Sequence, residues 1–317
     1  AITKRWMDPN GDGDPSDGVD GWRLDVPSDI PRAFWARWRQ LVKETNPNAL
    51  VAGELWHRAD EWLDGHYFDS VMNYEFARAA VKWIFDQQTR IPASVLDARL
   101  AELRLAYPKS ASYALLNLVD GHDTDRMASM ALNPDREYDR DNRGRGGEDE
   151  YDNSKPSPEA YARARLATLL QMTYVGAPLV YYGDEAGMWG ADDPTNRKPM
   201  LWKDLEPYAR PEENVVMDDM LEFYRATIAL RNAHPALQRG TIETVLADDE
   251  ADVWVFRRTL DGDDLLVALN PTDAAREVTL TLPAGAPANW ATEFAYGAAD
   301  GQAYTANGGK LTIQVPA

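Results

Sequence analysis

The sequence predicts an α/β fold in which the C-terminal part of a (β/α)8 TIM barrel is followed by a small antiparallel β-sandwich domain. Two observations favour the barrel: short apolar runs of strand length alternate with segments of helical periodicity, and three of these runs deliver a carboxylate near their carboxyl end. A third observation favours the sandwich, because from Thr241 onwards short alternating strands are separated by Gly and Asp turns. We therefore assign residues 1–236 to the barrel and residues 237–317 to the sandwich.

Strands and helices alternate along the first domain. We expect five barrel strands, which end at about residues 26, 55, 73, 119 and 182. Ser28 or Asp29 can cap the first helix, about 31–45, whose apolar residues recur at helical spacing. The other helices are expected at about 75–88, 93–106, 158–174 and 217–232. Residues 134–158 are charged and contain Gly144, Gly146 and Gly147, which predicts a solvated loop over the barrel mouth.

Composition excludes several classes of function. The 317 residues carry a formal charge of −19, which disfavours nucleic-acid and anionic-membrane partners but not a neutral ligand. No run of about 18 apolar residues that could span a membrane is present. The absence of cysteine excludes disulfides and thiolate metal sites. The chain begins Ala1-Ile2-Thr3 without methionine, as expected of a cleaved product or of a sequence trimmed at its start.

The run from Gly21 to Val26 places an arginine and a carboxylate on one face of a strand. Strand alternation puts Arg23 and Asp25 on the same side, so the guanidinium would keep the carboxylate ionised. An ionised carboxylate at a strand end is suited to act as a nucleophile, although a structural ion pair would give the same pattern.

Two later runs favour a catalytic role for these carboxylates over a structural ion pair. The run 49–56 brings Glu54 to a strand end, and the run 114–123 brings Asp123. Because strand ends of a barrel meet at one edge, we expect Asp25, Glu54 and Asp123 to lie close together.

These motifs resemble the signatures of the alpha-amylase family, glycoside hydrolase family 13. GWRLD resembles the motif of the fourth barrel strand, GELW that of the fifth and GHD that of the seventh. A fourth match, the run Asp193-Pro194-Thr195-Asn196-Arg197, resembles the family's outer glucose-binding residues. GELWH, together with FDSVMNY at 68–74, is similar to the neopullulanase, cyclomaltodextrinase and maltogenic amylase branch. The chain would then correspond to about strands 4–8 of the barrel.

The resemblance implies a retaining hydrolase of α-1,4-glucosidic bonds with a covalent glycosyl-aspartate intermediate. Asp25 would be the nucleophile, Glu54 the acid/base, and Asp123 a third carboxylate that holds sugar hydroxyls and favours a distorted ring. Glu54 must then hold a proton near neutral pH, and we expect the apolar Leu55 and Trp56 and the charge of Asp25 to favour that form. The implied substrate-binding residues are Arg23, Trp56, Asn73, His122, Asp193 and Arg197. A rim position for Trp56 and a surface ion pair between Asp193 and Arg197 stay open as alternatives.

Two other functions stay open. A 4-α-glucanotransferase would use the same intermediate with a sugar as acceptor in place of water, and the sequence does not separate the two activities. A non-catalytic amylase-like subunit that binds or stabilises a partner is the third interpretation, but such a subunit is expected to lose at least one of the three carboxylates. The choice among cyclodextrins, pullulan and linear dextrins is not set by these residues.

The chain also departs from the family pattern. Ser28 and Asp29 stand where this branch is expected to have Asn-Glu, and Asp125 lies in a run that varies within the branch. The first signature of the family and three strands are missing, whereas a closed barrel needs eight strands and an open one exposes apolar faces. We therefore expect two partners: an α-glucan substrate, and an N-terminal segment of the same enzyme as a separate or cleaved chain.

The run from Asp8 to Asp14 predicts a calcium site. Asp8, Asn10, Asp12 and Asp14 place side-chain oxygens at alternate positions with glycines between them, which is typical of a calcium loop. Val19 occupies the place of the glutamate that would complete an EF-hand, and a plain Asx-turn loop is the alternative. We expect Ca²⁺ as a structural cofactor and no organic cofactor.

Overall fold

A parallel sheet of five short strands forms the centre of the first domain. The computed structural model describes residues 1–140, 142–143, 151–297 and 301–317; Gly144, Gly146 and Gly147 of the predicted loop lie outside them. The strands are β1 (Gly21–Leu24), β2 (Leu50–Gly53), β3 (Ser70–Val71), β4 (Leu116–Asn117) and β5 (Ala177–Pro178). β2 pairs in parallel with both β1 and β3, and β4 pairs in parallel with β5. A parallel bridge between Met72 and Leu116 joins the two groups, so all five carboxyl ends lie at one edge.

Helices connect and cover these strands. They are α1 (Ile2–Met7), α2 (Arg32–Thr45), α3 (Tyr74–Ile84), α4 (Ala93–Ala106), α5 (Lys109–Ala114), α6 (Met127–Leu132), α7 (Pro158–Thr173), α8 (Asp218–Ala233) and α9 (Pro235–Arg239). The predicted helices correspond to α2, α3, α4, α7 and α8, although α3 ends earlier than expected. The sequence did not predict α1, α5, α6 and α9, because helices of five or six residues are too short for a period to show.

Aromatic residues fix α2 against the start of the sheet. The indole of Trp35 is buried and donates to the carbonyl of Pro27 at 2.8 Å, and the Trp38 indole donates to Thr3 Oγ1 at 3.0 Å. The predicted cap by Ser28 or Asp29 is wrong. Residues 27–29 form a separate 3₁₀ turn, and Pro31 occupies the cap position of α2 without a side-chain hydrogen bond.

Antiparallel strands build the C-terminal domain. They are β6 (Thr241–Asp248), β7 (Val253–Leu260), β8 (Asp263–Leu269), β9 (Arg276–Thr281), β10 (Asn289–Ala291), β11 (Ala303–Thr305) and β12 (Lys310–Val315). β6, β7 and β8 form one sheet in that order, while β9 pairs with β12 and β10 with β11. A separate apolar core lies between them, formed by Val253, Val255, Val278, Leu280, Leu311 and Val315. The predicted domain boundary at 236/237 falls inside α9 and stays a prediction.

No helix in the described ranges combines the length and the apolar character that a membrane span requires.

Candidate active site

Two of the predicted carboxylates follow neighbouring strands. Asp25 comes directly after β1 and Glu54 directly after β2, and the last residues of these strands, Leu24 and Gly53, are paired. The backbone N–H of Glu54 donates to the carbonyl of Leu24 at 2.9 Å. The strand register therefore brings Asp25 and Glu54 to the same edge of the sheet.

Arg23 links these two carboxylates. Its Nη1 contacts Asp25 Oδ1, and its Nη2 lies 2.7 Å from Glu54 Oε1. The Glu54 side chain is only 2% exposed, whereas that of Asp25 is 77% exposed. Sequence reasoning found the contact between Arg23 and Asp25 but missed the one with Glu54, because a contact across strands depends on their register. The guanidinium is thus a charged partner of Glu54 that the sequence argument did not include.

The backbone turns sharply after Asp25. Val26 adopts φ 37° and ψ 52°, in the left-handed region that a β-branched residue rarely enters. Such a conformation costs about 1–3 kcal/mol and persists only where surrounding contacts hold it. One of these contacts is a hydrogen bond from the N–H of Val26 to Glu54 Oε2, at 3.1 Å. Glu54 is therefore held at both oxygens, by Arg23 and by the strained residue that follows Asp25.

A second cluster surrounds Asp123. His122 Nε2 lies 3.0 Å from Asp123 Oδ2, and Arg197 Nη2 donates to Asp123 Oδ1 at 2.8 Å. The Nε of Arg197 also donates to the carbonyl of His122 at 2.8 Å and lies 3.5 Å from Asp193 Oδ1. The structure thus joins four predicted site residues, although Arg197 and Asp123 are 74 positions apart.

Tyr74 lies within electrostatic range of both clusters. Burial, with the negative charges of Glu54 and Asp123, raises the pKa of the Tyr74 hydroxyl well above its usual range, and Arg23 acts in the opposite sense. Trp56 stacks on Tyr74, with ring centroids 3.9 Å apart and an interplanar angle of 13°. Because Tyr74 covers one face of this indole, a sugar could stack only on the opposite face.

Asn73 has a structural place in this arrangement. It is buried, its Nδ2 donates to Asn117 Oδ1 at 2.8 Å, and its Oδ1 accepts from the N–H of Phe76 at 3.3 Å as the cap of α3. Both polar groups of the side chain are therefore used inside the protein, unlike those expected of a substrate-binding residue. The expectation that Asn73 binds sugar came from the motif at 68–74, and it stays a prediction.

Asp139 is a carboxylate near the site that sequence reasoning missed. Partial burial and the charges of Asp192 and Asp123 raise its pKa to about 6, against the opposing effect of Arg78 and Arg143. It lies between α6 and α7, where neither a strand end nor a motif marks the position.

The side chains of the predicted calcium loop accept hydrogen bonds from backbone N–H groups of the same segment. Asp8 accepts hydrogen bonds from the N–H groups of Gly11 at 2.8 Å and Gly13 at 3.0 Å. Asn10, Asp12 and Asp14 each accept from the N–H two residues further on, at 2.8, 2.8 and 3.0 Å. In the part of the chain that the structure describes, no three His, Cys, Asp or Glu side chains are grouped as metal ligands. This conformation corresponds to the Asx-turn alternative, and calcium binding stays a prediction.

Known families match both domains. The model of the alpha amylase catalytic domain matches residues 14–240, and a domain of unknown function, DUF3459, matches residues 239–311. Neopullulanase 2 of Thermoactinomyces vulgaris is 37% identical over 289 residues, which cover 91% of this chain and 42% of that protein. A cyclomaltodextrinase of Bacillus sp is 36% identical over 253 residues, which cover 80% of this chain and 39% of the relative.

Comparison with solved structures finds enzymes of the same kind. A cyclomaltodextrinase superposes with a TM-score of 0.76 at 30% identity, over 95% of this chain and 44% of that one. The native form of Nostoc punctiforme debranching enzyme gives a TM-score of 0.75 at 29% identity, over 95% of this chain and 57% of the other. The chain spans less than half the length of the two sequence relatives. Because the catalytic-domain model covers most of its residues, the chain belongs to the alpha-amylase family of glycosidases.

Proposed function

We propose that this chain carries most of the active site of a retaining hydrolase that cleaves α-1,4-glucosidic bonds of malto-oligosaccharides, cyclodextrins or pullulan. The observation that carries the proposal is the pair of carboxylates on Arg23, one exposed and one buried. Retaining glycosidases need two such groups with different roles on the two sides of the scissile bond.

The chemistry follows from this difference in exposure. Asp25 attacks the anomeric carbon while Glu54 gives its proton to the leaving glycosidic oxygen, so that a glycosyl ester of Asp25 forms and the sugar on the reducing side departs. Glu54, now a carboxylate, then takes a proton from water, whose oxygen attacks the anomeric carbon and releases Asp25. Two inversions at that carbon leave its configuration unchanged.

The cluster around Asp123 would hold the sugar that reacts. Asp123 and His122 would bind its hydroxyls, and Asp193 and Arg197 would bind a glucose farther towards the non-reducing end. Two relatives named for action on such glucans, the neopullulanase and the cyclomaltodextrinase, support this substrate class.

We also propose that three further strands complete the barrel. Within the described residues β1 pairs only with β2, and β5 only with β4, which leaves an open edge at each end of the sheet. Trp6, Phe34 and Leu50 are large apolar side chains that stay exposed. An N-terminal segment of the same enzyme would cover these edges, as a barrel of eight strands requires.

The test uses the completed enzyme, meaning this chain joined to the barrel segment that precedes it. It is incubated with maltotriose, a cyclodextrin and pullulan, and the products are identified together with the anomer that forms first. We expect products shorter than the substrate, released as the α-anomer. Products longer than maltotriose would indicate the glucanotransferase, and no turnover of any of the three glucans would contradict the proposal.

A further inference from the structure

The turn that carries Asp123 is held from inside the protein by Asn196. This turn runs from Asp120 to Met127 and is closed by two hydrogen bonds, from the N–H of Met127 to Asp120 Oδ2 at 2.7 Å and from the N–H of Gly121 to Thr124 Oγ1 at 2.9 Å. The Nδ2 of Asn196 donates to the carbonyls of Thr124 at 2.7 Å and His122 at 2.9 Å. Asn196 is fully buried, so water cannot replace these contacts.

The orientation of the Asn196 amide is fixed by its surroundings. The carbonyl of Gly121 also lies near Nδ2, at 3.4 Å, so three carbonyl oxygens surround the amino group. Exchange of the amide oxygen and nitrogen would set Oδ1 against these oxygens. In the described structure Oδ1 is buried and has no hydrogen-bond partner, a cost that the contacts of Nδ2 must offset.

A residue of the turn, Arg126, makes a further contact with Asn196. Its backbone carbonyl accepts from Nε of the buried Arg126 at 2.9 Å. The Nη1 of Arg126 donates to the carbonyl of Tyr182 at 2.8 Å and to Asp184 Oδ1 at 2.9 Å. Arg126 and Asn196 therefore together connect the turn that follows β4 with the segment that follows β5.

We propose that Asn196 is a positioning residue that places the Asp123 carboxylate for the reaction. Its chain neighbour Arg197 contacts that carboxylate from the exposed side, so the two residues hold the Asp123 turn from opposite sides. This inference rests on the proposed function, because it takes Asp123 to act on the reacting sugar. A misplacement of about 1 Å in such a group can lower turnover a hundredfold.

A double-mutant cycle tests the proposal in the completed enzyme, with Asn196→Ala, Asp123→Asn and their combination assayed on maltotriose. We expect Asn196→Ala to lower kcat by about tenfold or more per folded molecule, and to lower it little further in the Asp123→Asn background. Asn270→Ala is the matched control, because Asn270 is also buried and its Nδ2 donates to two carbonyls, those of Ala274 and Pro316, in the C-terminal domain. This control should lower the melting temperature without a change in kcat.

Additive losses in the double variant, or an unchanged kcat in Asn196→Ala, would overturn the proposal. Should Asn196→Ala fail to fold, Asn196→Ser, which keeps one donor, is compared in the same cycle with the same expectation. A wild-type enzyme without activity on maltotriose, cyclodextrin or pullulan would instead remove the proposed function, and this inference with it.

Discussion

At the scale of single residues, exposure separates the roles of the two carboxylates that share Arg23. The exposed Asp25 can be reached by an anomeric carbon, whereas Glu54 is enclosed and held at both oxygens. Retaining glycosidases need two carboxyl groups with different roles, and these two differ in their surroundings. The surroundings of Asp25 and Glu54 therefore support the roles proposed for them from the motifs.

Glu54→Gln should separate two classes of substrate. Without the proton donor, we expect turnover of maltotriose to fall by at least about a hundredfold, because general acid catalysis contributes about 10²–10⁴. Formation of the intermediate from an α-glucosyl fluoride should fall much less, because fluoride leaves without a proton. Both rates are measured, with the exposed Glu61→Gln as control. Equal losses on the two substrates would argue against the proton-donor role.

Asp125 should make stability depend on pH. Burial raises its pKa to about 7, from an ordinary 3.8, although hydrogen bonds from Tyr151 and Asn142 oppose the shift. Because the folded state holds this proton more tightly than the unfolded state, the contribution to stability is complete below about pH 4 and is lost as pH rises to about 7. Melting temperatures between pH 4 and 8 should therefore fall more steeply in the wild type than in Asp125→Asn. Parallel curves for the two proteins would refute this.

At the scale of elements, the sequence could predict what depends on local pattern. The strand ends at Asp25 and Glu54 follow from apolar runs, and α2 follows from apolar residues at helical spacing. The link from Arg23 to Glu54 could not be predicted in the same way, because it depends on the pairing of β1 with β2. The contact from Asn196 to Thr124 spans 72 positions, and no local signal marks either end of it.

Melting temperatures should show whether the loop at residues 8–14 binds calcium. An ion that binds only the folded state stabilises it by about 2.7 kcal/mol at a hundredfold excess over Kd. We therefore expect a higher melting temperature in millimolar calcium than in chelator, and a smaller difference for Asp12→Asn. Magnesium at the same concentration is the control. If the melting temperature of the wild type is the same in calcium and chelator, the loop is a plain Asx-turn loop.

At the scale of the whole molecule, the open edges of the sheet bear on whether the chain can be active by itself. In the proposed complete barrel, three further strands and the first family signature would supply part of the pocket around Asp25. The C-terminal domain has its own apolar core. The number of strands could be predicted from the sequence, because each strand belongs to a short apolar run, although no helix separates β2 from β3.

Residues 1–317 by themselves should not form an active enzyme. The exposed edges of β1 and β5 favour aggregation or capture of the missing strands. Expression of this chain alone, followed by size-exclusion chromatography and assay on a cyclodextrin, should give little activity. Co-expression with the preceding barrel segment should restore it. A monodisperse and fully active chain would show that no further strands are needed.

The covalent intermediate offers the most direct test of the central claim, that Asp25 is the nucleophile of a retaining glycosidase. The Glu54→Gln variant of the completed enzyme is incubated with α-maltotriosyl fluoride. This substrate forms the intermediate without a proton donor, and the variant lacks the base that would activate water to hydrolyse it. Digestion and mass spectrometry should find one maltotriosyl group on the peptide that contains Asp25, and none in the variant that also carries Asp25→Asn. A maltotriosyl group on another residue, or turnover that proceeds unchanged in Asp25→Asn, would contradict the assignment.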